Sequence, residues 1–193
     1  MSSIYKQIIF YIAIILLVPI LFIPIFPSIS ESSQSNSTIS YFIMSDSRFY
    51  WPIPGYTRIS SYFGKRASPT KYASSFHQGI DIPAPAGTNL IAVCDAKVIF
   101  IGFNGSGGYS INLKSNNLEF IYHHVSPNYM ISVNDTVKAG QVIGQVGPKN
   151  VYGVANNPYR DSNGNPTNGA TTGAHLHFSI KKDGTAVNPL NYF

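Results

Sequence analysis

TNLIAVCDAKVIFIGFNGSGGYSINLKSNNLEFIYHH, residues 88–124, holds four short apolar or alternating runs, at 88–94, 96–103, 108–114 and 117–124. Each is rich in β-branched and aromatic residues, and Asp, Asn, Ser or Gly interrupts the chain between them, as expected of consecutive strands. The same texture extends outward to candidate strands at 57–62, 141–146 and 174–181. No segment after residue 27 keeps a helical period over the ~11 residues of an ordinary helix. The expected fold class is mainly β. Gly87–Ile99 is echoed by Asn134–Gly144, each a turn followed by strand pairing. Such half-repeats predict a barrel-sandwich hybrid made from a duplicated motif.

Residues 8–27, IIFYIAIILLVPILFIPIFP, carry no charge and match the ~20 apolar residues that cross a bilayer. Pro19, Pro24 and Pro27 suit a membrane helix better than a soluble one. Lys6 is the only charged side chain ahead of the run, which places a stub at 1–7 in the cytoplasm and the rest outside. The run exceeds the h-region of a signal peptide, although Ser28-Ile29-Ser30 would permit cleavage. The expected organisation is a transmembrane anchor at 8–27, a polar, serine-rich tether at 28–50 and an extracytoplasmic domain at 51–193, giving a single-pass cell-membrane protein.

The lone Cys94 can close no disulfide within the chain and sits in a strand-like run, so it reads as a small core residue. The formal charge of +5 with 11% charged residues describes a mildly basic surface suited to anionic wall polymer. Without a Lys/Arg cluster interleaved with aromatics, nucleic acid is not an expected partner. Lipoyl and biotinyl carriers share the strand texture, but Lys138 lacks the hairpin-tip setting that their modified lysine needs.

All five histidines fall in three stretches: His77-Gln78-Gly79-Ile80-Asp81, Tyr122-His123-His124 and His175-Leu176-His177. Imidazole and carboxylate are the ligands zinc takes outside cysteine-rich sites. On a strand, side chains alternate, so His175 and His177 share a face. The same rule applied to 117–124 groups Tyr122 with His124 and sets His123 apart as a bystander. His77 and Asp81, four apart around a glycine, suit a loop around a cation or one helical turn. Catalytic zinc keeps three protein ligands and an open position, so the surplus imidazoles point to proton transfer. His-Glu-x-x-His and Gly-x-Ser-x-Gly are absent, which disfavours the commonest metalloprotease and serine-hydrolase signatures.

Arg58–Arg66 (RISSYFGKR), Phe76–Ile82 (FHQGIDI), Tyr122–Ser126 (YHHVS), Gly173–Phe178 (GAHLHF) and Val187–Leu190 (VNPL) together resemble the lysostaphin- and LytM-type zinc endopeptidases over about 51–193. The resemblance implies a mostly antiparallel β barrel-sandwich with a substrate groove. It also implies Zn2+ on His77, Asp81 and His177, with His124 and His175 as the catalytic pair. The implied reaction is hydrolysis of peptide bonds in bacterial peptidoglycan. Stub, anchor, tether and C-terminal domain also resemble stage II protein Q of the sporulation channel. On that reading the chain would be a membrane-anchored scaffold with a weak or silent peptidase domain and an envelope protein partner. A secreted lytic enzyme would need a wall-targeting module, and none is visible. The polar stretch 147–173 is expected to form a long loop over the site.

Overall fold

The computed structural model describes residues 49–193. The stub, the anchor and the tether up to residue 48 lie outside the described residues. Among the described residues no helix is long and apolar enough to cross a membrane.

Eleven strands follow in chain order: β1 Gly64–Lys65, β2 Phe76–His77, β3 Ile80–Pro83, β4 Asn89–Ile91, β5 Ala96–Phe103, β6 Tyr109–Ser115, β7 Leu118–His123, β8 Thr136–Val137, β9 Val142–Gln145, β10 His175–Lys182 and β11 Thr185–Val187. The only helical elements among the described residues are 3-10 turns at Gly105–Gly107 and Pro189–Tyr192. The fold is mainly β, as the alternation predicts.

A seven-stranded sheet runs β11-β10-β7-β6-β5-β8, and β3 pairs with β10 beside β11. Every pairing between strands is antiparallel. The sheet does not close on itself, which corrects the barrel part of the expectation. The echoed segments pair with each other instead: Leu90 opposes Gly144, and Ala96 opposes Val137. The duplicated texture therefore builds two antiparallel pairings, β4 with β9 and β5 with β8.

Alternation divides the large sheet into two faces. Ile80, Phe178, Tyr122 and Ile111 form one row across four strands, all fully buried. Leu90 and Ile143 of the small β4-β9 sheet join the same core. Tyr122 Oη donates to Ile91 O at 2.9 Å and accepts from Val93 N at 3.3 Å, tying the two sheets together. Phe49, ahead of residue 51, belongs to this core, with its ring centroid 5.1 Å from Phe120 and 6.0 Å from Tyr192.

Two strand expectations are corrected. Residues 57–62 make only a bridge from Ser61 to Asp81, since the segment meets β3 at one point and runs on. The stretch His77–Asp81, read as a loop or one helical turn, instead runs from the end of β2 into β3, Ile80–Pro83, which is a strand because β10 supplies a full antiparallel partner.

Candidate active site and metal centre

Asp81, His177, His123 and Ser110 occupy one register row across β3, β10, β7 and β6. Directly opposed residues share a face, so sheet geometry alone sets Asp81 against His177. His77 arrives from the end of β2, folded back by Gln78-Gly79. Gly79 permits that approach, because a Cβ there would lie 2.4 Å from Phe178 O and 2.8 Å from His177 Nε2.

Three atoms converge in consequence. His77 Nε2 lies 3.1 Å from Asp81 Oδ1 and 2.9 Å from His177 Nδ1, and His177 Nδ1 lies 2.9 Å from Asp81 Oδ1. Two ligands held ~2.0–2.1 Å from a tetrahedral zinc stand roughly 3.3 Å apart, so the triangle has the right scale. The outer ring nitrogens have partners of their own. His77 Nδ1 is 2.9 Å from Tyr62 O, a carbonyl that can only accept, so the proton sits on Nδ1 and Nε2 offers a lone pair. His177 Nε2 is 2.7 Å from Ser179 Oγ, a hydroxyl that can accept its proton when Nδ1 turns a lone pair to an ion. His77 Nε2, His177 Nδ1 and Asp81 Oδ1, 2.9–3.1 Å from one another, face one point, and each can offer a lone pair to an ion there. The donor set therefore fits a metal ion.

Around this centre, Asp81 Oδ2 accepts from Arg66 Nη1 at 2.9 Å. Burial works to raise the Asp81 carboxyl, but the surrounding imidazoles of His175, His177 and His77 outweigh it and hold the group well below the usual carboxylate range. Burial lowers His177, against the pull of Asp81. The site thus offers a carboxylate and, at His177, a ring held toward its neutral form, the protonation states that metal ligation requires.

His175 Nδ1 donates to Gly173 O at 2.9 Å, and its Nε2 lies 3.6 Å from Asp81 Oδ1. His124 Nδ1 donates to Asn168 O at 2.6 Å, which turns the Nε2 lone pair away from the loop. The His124 and His175 ring centroids are 4.7 Å apart. Burial holds His124 well below its ordinary value, and the neighbouring imidazoles add to that. His124 is neutral and able to accept a proton.

Strand alternation does not account for His124. Tyr122 points into the core, whereas His123 stands in the row of His177 with ring centroids 5.3 Å apart. β7 ends at His123, and His124 takes φ 57°, a left-handed conformation uncommon outside glycine. That turn returns His124 to the site face. Both histidines consequently line the cleft, which corrects the separation of His123 from the site. His123 Nδ1 donates to Ser110 Oγ at 2.6 Å, since that hydroxyl already donates to Gly108 O. Desolvation, with smaller contributions from nearby His177 and Lys181, pushes His123 down to about 3.

The cleft holds ≈ 390 Å³ above the outer sheet face, with Ile121, Ser179 and Lys181 among its lining and Ala170 on its far wall. Ala170 belongs to the 147–173 segment, which is pinned by the fully buried Asn168. Asn168 Oδ1 accepts from Tyr109 N at 2.7 Å, and Nδ2 donates to Val125 O at 3.0 Å. The segment is a fixed wall that also orients His124.

A sequence model of peptidase family M23 matches residues 75–189. The chain belongs to peptidase family M23. It is 34% identical over 137 residues to the DD-carboxypeptidase/endopeptidase Mpg of Neisseria meningitidis, covering 70% of this chain but only 27% of that protein's length. The catalytic domain of lysostaphin from Staphylococcus simulans superposes with a TM-score of 0.55 and 27% identity, over 71% of this chain and 91% of that domain. A structure of the SpoIIIAH and SpoIIQ complex reaches a TM-score of 0.57 at 22% identity, over 75% of this chain and 99% of that one. It shares the fold. The M23 match encloses all five histidines and Asp81.

Sequence reasoning missed Arg66, Ser110, Asn168 and Ser179 as supports of the M23 site. Ser110 and Ser179 carry an alternation signal, because each is a buried polar residue on the site face of a strand. Arg66 and Asn168 carry none.

Proposed function

We propose that the chain is a zinc-dependent endopeptidase that hydrolyses peptide bonds of bacterial peptidoglycan at the cell envelope. The observation that carries this reading is the convergence of His77 Nε2, Asp81 Oδ1 and His177 Nδ1, each within 3.1 Å of the others, beside the two further imidazoles of His124 and His175. His77, Asp81 and His177 would hold the ion. Zinc, when bound, supplies a Lewis acid that polarises a carbonyl and makes water a nucleophile near neutral pH. Asp81 brings one negative charge to the centre, and Arg66 keeps its second oxygen occupied.

His124 and His175 are the proton carriers in this reading. Each has its Nδ1 proton committed to a backbone carbonyl, so only Nε2 can exchange a proton over the cleft. One of the two rings accepts a proton from the attacking water at Nε2 and returns it to the leaving amine. The carbonyl partners keep the rings from turning as their charge changes.

Peptidoglycan enters through the likeness to lysostaphin-type peptidases and to Mpg, and the mildly basic chain suits such a substrate. The uncharged run 8–27 behind Lys6 supports a single-pass anchor that holds the M23 domain outside the membrane. The same arrangement, with the fold of the SpoIIIAH and SpoIIQ complex, supports a second reading: a scaffold that binds an envelope protein partner and turns over slowly or not at all. Incubating the purified zinc-loaded chain with peptidoglycan and assaying new amino termini separates the two. Termini that appear with the unaltered chain and vanish with His124→Ala support the peptidase. Bound zinc with no new termini supports the scaffold.

A further inference from the structure

A second cavity, of ≈ 440 Å³, opens between the 66–75 segment and the 147–173 wall. Its lining includes Lys71, Lys149 and Arg160, with Asp161 as the sole carboxylate among the lining residues. Asp161 is fully engaged in its own loop. Its Oδ1 accepts from Asn163 N at 3.0 Å and Asn165 N at 2.9 Å, while Oδ2 accepts from Asn150 Nδ2 at 3.2 Å and meets Lys149 Nζ at 3.3 Å. Lys149 is thereby neutralised. Lys71 and Arg160 pair with no carboxylate among the described residues. Lys71 Nζ stands 4.7 Å above the Tyr72 ring, and Arg160 spends one nitrogen on Tyr159 O at 3.0 Å. The walls are joined by an edge-to-face contact of Tyr72 with Tyr159, centroids 5.3 Å apart.

The cavity adjoins the reaction centre through Thr171, which lines it and places Oγ1 3.4 Å from His175 Nδ1. We propose that this pocket is a substrate subsite for a carboxylate, carried by a peptide residue that flanks the scissile bond. The proposal rests on the peptidase reading. Two cations without counter-charge, one a planar guanidinium with free donors, suit a bidentate carboxylate. A peptide with that group unmodified would be anchored beside His175, and one with the group amidated would not.

The test uses the full chain carrying His175→Ala to stop turnover, and measures equilibrium binding of peptidoglycan stem peptides with free or amidated side-chain carboxylates. Charge-assisted bonds predict roughly tenfold or greater preference for the free acid. Adding Lys71→Met and Arg160→Gln, both at exposed positions, should abolish the preference, while Lys97→Met on β5 should leave it intact. Equal affinity for acid and amide, or a preference that survives the double substitution, would overturn the subsite. Turnover by the chain with His175 in place separates the two claims. Cleavage of both peptides without preference sinks the subsite alone, and cleavage of neither sinks the peptidase reading while the binding comparison still decides the subsite.

Discussion

At the scale of single residues, the division of labour among the imidazoles follows from which nitrogen each one keeps free. His77 Nε2 and His177 Nδ1 face Asp81 Oδ1, whereas His124 and His175 stand one ring further out. His77→Ala or Asp81→Ala should therefore abolish stoichiometric zinc binding, measured by metal analysis after dialysis. His124→Ala should leave one zinc per chain. A His77→Ala chain that retained zinc would remove His77 from the ligand set. That His175 and His177 share a face was legible because they stand two apart on a strand, whereas the grouping of His177 with His77 and Asp81 came from the resemblance to lysostaphin-type peptidases. The placement of His124 was not legible, because a positive φ at a residue other than glycine leaves no mark in composition or period. His123 was misplaced for the same reason: the alternation rule was sound up to the strand's end and was carried one residue too far.

At the scale of elements, the site depends on how closely β2, β3 and β10 approach, and on what holds 147–173 in place. Gly79→Ala changes no ligand, yet its Cβ would press on Phe178 O and His177 Nε2. The expected result is weakened zinc affinity in a chain whose circular dichroism is unchanged, and unaltered affinity would show that the backbone yields. The 147–173 wall makes a pH prediction. Burial raises Asp161, but the bonds from Asn150, Asn165, Lys149 and Asn163 outweigh it and bring the carboxyl down to about 2. A carboxyl lowered in the folded state supports the fold above its unfolded value and loses that support as pH falls through the folded one. The amide resonances of Asn163 and Asn165 should titrate with a midpoint near 2, and a midpoint at the ordinary ~3.9 would contradict the assigned bonds. A long polar loop was readable from its Asn and Gly content. Its pinning by Asn168 was not, since nothing distinguishes that residue from the other asparagines in the stretch. β3 escaped notice because four residues give too little alternation to read.

At the scale of the whole molecule, one apolar face of the large sheet carries the stability and the opposite face carries the chemistry. Phe120 is fully buried and meets Phe49 edge to face. Its substitution by Ala should cost about 3–5 kcal/mol in urea denaturation, without altering the ligands on the other face. A cost under about 1 kcal/mol would mean that the Phe49 end of the core does not form part of the cooperative unit. The strand-rich class was legible from residues 88–124 alone. The open sheet was not, because closure depends on how far pairing continues around the edges, and β10 gives one edge to both β3 and β11. The paired echoes at 87–99 and 134–144 show what the duplicated texture serves: two antiparallel pairings that close the core over the sheet.

The measurement that tests the central claim most directly is zinc content and peptidoglycan cleavage in one preparation, for the unaltered chain and for His175→Ala. The predicted result is one zinc per chain in both, with new peptide termini produced only by the unaltered chain. Undiminished cleavage by zinc-loaded His175→Ala, or cleavage by the metal-free chain, would contradict it.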